Sequence, residues 1–285
     1  MQYYIVDAFT SEAFGGNPAG VVLLPKGDQF PSERLMQLVA AELRYSETVF
    51  VQQNGAAEFT VRYFTPKSEV DLCGHATIAT FGVLRQEGIV PTGTSCLNHT
   101  LAGDLEVRVN DSVMMQMATP QLVQREVDVE RLCRIMECPA EVLRPVEIIS
   151  TGLPDIILPV DSMETLQALN PDMEALTELS RELEVVGVHA FAPADDQYTA
   201  HARNFAPLYG VNEESATGTA NAALTHYLQR QGLIAPGNRF TFMQGEKMGR
   251  PSVVETTLTA DGQIYVGGQC CIIAKGQLLL RGLEN

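Results

Sequence analysis

At 285 residues the chain is long enough for two domains of ordinary size, and no stretch approaches the roughly 20 apolar residues of a membrane span. A net charge of −16 with no long basic run argues against a nucleic-acid partner. The N-terminus lacks the basic and apolar regions of a signal peptide, and Cys73, Cys96, Cys133, Cys138, Cys270 and Cys271 show no CxxC spacing, so reduced thiols and a cytoplasmic location are expected.

In chain order, period-2 apolar patterns predict strands over 3–9, 59–64, 105–109, 113–117, 253–258 and 264–268. Pro31-Ser32 opens a helix whose apolar stripe is Leu35, Leu38, Val39 and Leu43. Further helices are expected over 128–136 and 171–183. The helices after Gly74 and Gly218 differ in kind. One carries Ala76, Ile78, Ala79, Phe81, Val83 and Leu84; the other carries Ala220, Ala222, Ala223, Leu224, Tyr227 and Leu228. Both are apolar or small around most of their circumference, which predicts central helices wrapped by strands. Cys270 and Cys271, adjacent on a strand, would point to opposite faces.

These two helices belong to an internal repeat. Arg62-Tyr63-Phe64-Thr65-Pro66 precedes Gly74-His75-Ala76-Thr77, and Arg203-Asn204-Phe205-Ala206-Pro207 precedes Gly218-Thr219-Ala220-Asn221. Gly16-Asn17-Pro18 and Gly152-Leu153-Pro154 form an earlier pair, each before an apolar run. The repeat is too long for a solenoid. It predicts two similar halves with a small-molecule site between them. The change of domain is placed after the strand ending at Met117: a first half over 1–118, with a strand near 274–285 allowed to return to it, and a second over 119–273.

A buried helix start leaves its first N–H groups without partners. With a glycine at each start and a repeat that duplicates it, the expectation is an anion site suited to a carboxylate. The competing reading is that side chains such as Asp71 or Thr219 cap these amides locally.

Several stretches carry a family resemblance. They are Asp7-Ala8-Phe9-Thr10, Gly16-Asn17-Pro18-Ala19-Gly20-Val21-Val22, Tyr45-Ser46-Glu47-Thr48-Val49-Phe50, the Arg62 motif, Glu69-Val70-Asp71-Leu72-Cys73-Gly74-His75-Ala76-Thr77 and Met248-Gly249-Arg250-Pro251-Ser252. In order and over nearly the whole chain, they resemble the phenazine-biosynthesis PhzF-like isomerase family. The resemblance implies a mixed α+β, diaminopimelate-epimerase-like fold: two pseudo-symmetric domains, each a mainly antiparallel strand barrel around a central helix, with the active site in the cleft. It also implies a cofactor-independent, metal-free homodimer acting on a small carboxylate.

Residue by residue, the resemblance makes Glu47 the catalytic acid/base. Burial should raise its pKa toward neutrality; read alone, a lone Glu is more commonly a surface group. His75, which the helix start should keep neutral, lines the site in the family; alone, a core histidine is equally good. Gly74, Gly218, Glu214 and Thr219 are the other expected substrate-binding positions, with Asn17 and Cys73 as further candidates. Cys73 takes the place of one of the two cysteines of related racemases. The second place falls on Thr217, whose hydroxyl is far too weak an acid to match it, so Cys73 reads as a small buried residue. The second half departs from the family's usual Glu-Asp-Pro-Ala-Thr-Gly-Ser: Glu213-Glu214-Ser215-Ala216-Thr217-Gly218-Thr219 changes reach and volume, which suits a different substrate. Glu213 and Glu214 can also be read as charges favoured by a helix start.

Three functions compete: an isomerase moving a proton through Glu47, a racemase or epimerase using Cys73 with a carboxylate, and a non-catalytic anion-binding protein on the same fold. Solvent deuterium entering a substrate separates the enzymes from the binder, and inversion of a stereocentre separates the racemase from the isomerase.

Overall fold

The computed structural model describes residues 1–139, 144–194 and 197–280. The chain divides into two compact units, Met1–Gln116 with Gly267–Asn285, and Met117–Val266. The first contains β1 (Gln2–Ala8), β2 (Asn17–Leu23), α1 (Glu33–Leu43), β3 (Thr48–Gln53), β4 (Glu58–Phe64), β5 (Glu69–Val70), α2 (Gly74–Gln86), β6 (Thr94–Thr100), β7 (Gly103–Val109) and β8 (Val113–Gln116). The second contains β9 (Gln121–Val123), α3 (Val129–Met136), β10 (Glu147–Ser150), β11 (Pro154–Pro159), α4 (Met163–Ala168), α5 (Met173–Glu182), β12 (Val188–Pro193), β13 (Ala200–Ala206), β14 (Val211–Glu214), α6 (Gly218–Arg230), β15 (Asn238–Gln244) and β16 (Ser252–Leu258). β17 (Ile264–Gly268) spans the division, and β18 (Cys270–Gln277) returns to the first unit.

That return begins earlier than the sequence suggests. The second half was expected to run to 273, but β18 pairs with the whole of β1, from Gln2↔Gln277 to Ala8↔Cys270. Residues 281–285 of the strand expected near 274–285 lie outside the described residues. Pairing is mixed, parallel and antiparallel, and six α-helices occur among the described residues.

In the first unit α2 packs against β1, β2, β3, β7, β8 and β18. Every residue from His75 to Leu84 is buried, as its all-round apolar surface demands. Burying side chains the size of Ile78, Phe81 and Leu84 contributes about 1.5–3 kcal/mol each. Gly82 sets the closeness of approach, since a Cβ there would lie 1.9 Å from Cys270 Sγ. On the outer face of the strands, α1 covers Val22, Phe50 and Phe64 with Leu35, Met36, Val39 and Ala40. Leu38, placed in this stripe from the sequence, is 51% exposed; the buried stripe runs one residue to the side, through Met36 and Ala40.

In the second unit α6 packs against β10, β11, β12 and β16, and its Ala220 to Thr225, Tyr227 and Leu228 are buried. The other face of β10–β13 carries the core of Ile148, Ile156, Leu158, Val188 and Phe205, closed by side chains of α3, α4 and α5. α4, a single short turn and a half, has no periodic signature and was not expected.

Strand registers make the repeat explicit. β2–β3 and β11–β12 are parallel, β3–β4 and β12–β13 antiparallel, β4–β6 and β13–β15 parallel, and β6–β7 and β15–β16 antiparallel. The repeated arginines make the same bond. Arg62 Nε donates to Glu69 Oε1 at 2.7 Å and Arg203 Nε to Glu213 Oε1 at 2.8 Å, each pair joining neighbouring strands. Glu213 is therefore one arm of an ion pair, not a charge placed for the α6 dipole. None of the six cysteines forms a disulfide. No helix among the described residues is long and apolar enough to cross a membrane.

Candidate active site

Glu47 lies one residue before β3, where its carbonyl accepts the Gly20 N–H at 3.0 Å and anchors the parallel β2–β3 pairing. Cys73 is the N-cap of α2, and His75 is its second residue. The fold brings these three together. His75 Nε2 lies 3.1 Å from Glu47 Oε2 and 3.2 Å from Ser46 Oγ, and Cys73 Sγ lies 3.4 Å from His75 Nδ1. The His75 side chain is 6% exposed and that of Glu47 18%. Glu47 Oε2 is buried and forms an ion pair with the imidazole.

The charge states differ from those expected. Burial alone would push Glu47 up, but the hydrogen bonds and charge of His75 outweigh it and hold the carboxyl below its ordinary range. Burial alone would push His75 down, but the neighbouring Cys73 and Glu47 outweigh it and hold the imidazole well above its ordinary value. The sequence-based expectations of a raised Glu47 and a neutral His75 are both corrected by their neighbours, His75 for Glu47 and Cys73 with Glu47 for His75, because each group was weighed singly. Cys73 as a whole residue is half-buried, its thiol is buried, and it touches His75. Burial first, and the Glu47 charge second, push its thiol up to about 11, so it stays protonated at neutral pH. Donor atoms of Glu47, Cys73 and His75 all lie within 4.8 Å of one another, a set that a soft divalent cation could use after displacing the thiol and imidazole protons.

The contact makes a testable pH statement. With Glu47 depressed and His75 raised, the carboxylate–imidazolium form spans neutrality. His75→Gln removes the cation and leaves burial opposed only by the Ser46 and Cys73 hydrogen bonds, so the acid limb of kcat/KM should move to higher pH. An acid limb that stays in place would show that His75 does not set the Glu47 charge.

The second-half residues form their own cluster. Glu214 ends β14, and its Oε2 accepts the Thr217 hydroxyl at 2.7 Å. Gln244, fully buried at the end of β15, staples the turn: its Nε2 donates to the Glu214 carbonyl at 2.8 Å, and its Oε1 accepts from Thr217 N at 3.2 Å and Asn221 Nδ2 at 2.8 Å. Thr151 Oγ1 donates to the Thr219 carbonyl at 3.0 Å and ties down the first turn of α6. Asn17 is buried at the start of β2. Sequence reasoning missed Ser46, Gln244, Asn221 and Thr151. Ser46 stood in the quoted Glu47 stretch, but nothing local distinguishes the others from ordinary polar core residues.

The two central helices differ from the rest in how they begin. Ser32, Asp128, Ser162 and Asp172 cap α1, α3, α4 and α5 through their side chains. Cys73 and Thr217, the N-caps of α2 and α6, make no such hydrogen bond. At Gly74 an added Cβ would meet only Met115 Cε, at 3.7 Å. The protein's own packing therefore does not require glycine there.

The model of the phenazine biosynthesis-like protein family (PhzC-PhzF) matches residues 6–276. An uncharacterized isomerase of Clostridium acetobutylicum is 33% identical, with 97% of each chain covered. Trans-2,3-dihydro-3-hydroxyanthranilate isomerase of Pseudomonas chlororaphis is 31% identical over 88% of each chain. The crystal structure of a PhzF-family phenazine biosynthesis protein from Bacillus anthracis superposes with a TM-score of 0.86 at 27% identity, covering 98% of this chain and 99% of that one. The chain belongs to the phenazine biosynthesis-like, PhzF-type family of isomerases.

Proposed function

We propose that the protein isomerises a small carboxylate without a cofactor, using Glu47 to move one proton. The observation that carries this reading is Glu47 itself: a largely buried carboxylate, held ionised by the neighbouring His75. In the first step a C–H bond beside or conjugated to the substrate carboxylate breaks, its electron pair enters the conjugated system, and the proton bonds to Glu47. In the second, the O–H bond breaks and the proton returns to another carbon, with no net oxidation. The first turn of α2, which Cys73 does not cap through a side-chain hydrogen bond, offers the kind of donor that holds a carboxylate and the charge developing on it. The His75 imidazolium adds a fixed positive charge beside Glu47. Glu214 and Thr219 orient the substrate, and their difference from the family's usual residues suits a substrate other than the one named for the Pseudomonas relative.

A two-thiol racemase is disfavoured. The Cys73 thiol keeps its proton to about pH 11, and the Thr217 hydroxyl is already committed to Glu214. Assays of candidate carboxylates with wild-type protein and Cys73→Ser test the choice. The variant should retain most of the wild-type rate, and the wild type should resist iodoacetamide at neutral pH because the thiolate is scarce. Complete loss of activity in a folded Cys73→Ser protein, with fast inactivation by alkylation, would favour the racemase instead.

A further inference from the structure

The repeat offers an internal control on which buried polar groups the fold itself needs. On the strand faces turned toward α2, and in its first turn, the first half places Ala19, Val49, Tyr63, Val70 and Thr77. The registers fix their counterparts around α6. Val21↔Val49 and Val49↔Tyr63 match Ile157↔His189 and His189↔Asn204, and Tyr63↔Val70 matches Asn204↔Glu214. The counterparts are thus Asp155, His189, Asn204, Glu214 and Asn221. A set with no charge at neutral pH has become one containing two carboxyls and an imidazole.

This cluster is built into the core. Asp155 is 1% exposed, and His189, Asn204 and Asn221 are fully buried. Asn204 Nδ2 stands 3.4 Å from His189 Nδ1, and Asn221 Nδ2 donates to Gln244 and the Thr217 carbonyl. Both Asp155 oxygens, His189 Nε2, Asn204 Oδ1 and Asn221 Oδ1 are buried without a well-formed hydrogen bond. Opposite Asp155 on β10 stands Ile149, which is apolar. On the strand faces turned toward α6 the titratable groups are His189 on β12 and Glu214 on β14; Arg203 and Glu213 point to the opposite face, Glu147 lies on β10, and α6, which packs against β11, carries His226, Tyr227 and Arg230. An ionised Asp155 would be a bare charge in a dry core, far costlier than a neutral acid. Burial pushes its carboxyl up to about 8, and the Glu214 charge adds to this against a partial offset from Asn204. Burial holds His189 down at about 4, so it supplies no countercharge at neutral pH.

We propose that Asp155 is a positioning residue for Glu214: as the deeper acid it keeps the proton, leaving Glu214 the charged member of the pair, seated on the Thr217 hydroxyl. When Asp155 ionises, Glu214, the more exposed of the two, feels a second like charge through the low-dielectric core and swings off Thr217. The catalytic meaning rests on Glu214 as a substrate-binding group, but the positioning itself is testable without any substrate.

The test is a carboxyl-carbon and amide NMR titration of the full-length protein from pH 5 to 10. One aspartate carboxyl, absent from Asp155→Asn, should titrate near pH 8, and the Thr217 amide should shift with the same midpoint. In Asp155→Asn the Thr217 shift should vanish. In Glu214→Gln, which leaves the buried acid in place, the Asp155 midpoint should fall. An Asp155 midpoint near the ordinary value of about 4 would overturn the proposal. So would a midpoint unmoved by Glu214→Gln, or a Thr217 titration that persists in Asp155→Asn.

Discussion

Glu47→Gln should lose on the order of 10²–10⁴ in kcat, the usual scale for a general acid/base, with little change in folding. Glutamine keeps the size and the contact with His75 and Ser46 but cannot carry a proton. The substitution also removes one charge of a carboxylate–imidazolium pair, so the His75 imidazole should fall back toward neutrality. Loss of rate should therefore come with a drop in the His75 titration midpoint, read by NMR of the ring. A variant with wild-type turnover on any substrate that the wild type converts would remove Glu47 from the mechanism.

Arg203→Ala should cost about 3–5 kcal/mol of stability, the scale for breaking a buried, fully bonded ion pair from one side. The side chain is 6% exposed and bonds Glu213 through Nε at 2.8 Å and Nη2 at 2.9 Å. Nη1 donates to the Leu166 and Leu169 carbonyls at 3.0 and 2.8 Å, and the guanidinium lies 4.8 Å from the Phe205 ring centroid. Truncation strands the Glu213 charge and two carbonyls in one step. Lysine cannot restore this geometry, because it lacks the planar fork. The counterpart Arg62 is 24% exposed, so Arg62→Ala should cost less, on the order of 1 kcal/mol. Urea unfolding of the two variants reads the difference directly. A loss at Arg203 no larger than that at Arg62 would show that burial does not set the cost.

Much of this architecture was legible because it is written twice. The arginine motif, the glycine and the all-apolar helix recur in order, and the registers carry the same pairing in both halves. The positions of Glu47, Cys73 and His75 were legible only through the family motif, since nothing in their spacing says that a residue before β3 meets the first turn of α2. Their charge states were misjudged for a physical reason. Burial and helix dipole were applied to each residue singly, whereas the neighbouring groups decide: His75 for Glu47, and Cys73 with Glu47 for His75. Gln244 and Asp155 were invisible for another reason. A polar residue on an apolar strand shows no sign of what it meets across the sheet, and Asp155 only stands out beside its counterpart Ala19.

The claim that Glu47 moves a substrate proton is tested most directly by solvent deuterium. Wild-type protein and Glu47→Gln would be incubated in deuterium oxide with small unsaturated carboxylates, and the products analysed by mass spectrometry. The wild type should place deuterium on the carbon that gains hydrogen, through a Glu47 carboxyl that is 18% exposed and can exchange with solvent, and Glu47→Gln should place none. Deuterium uptake by Glu47→Gln at the wild-type rate would contradict the account.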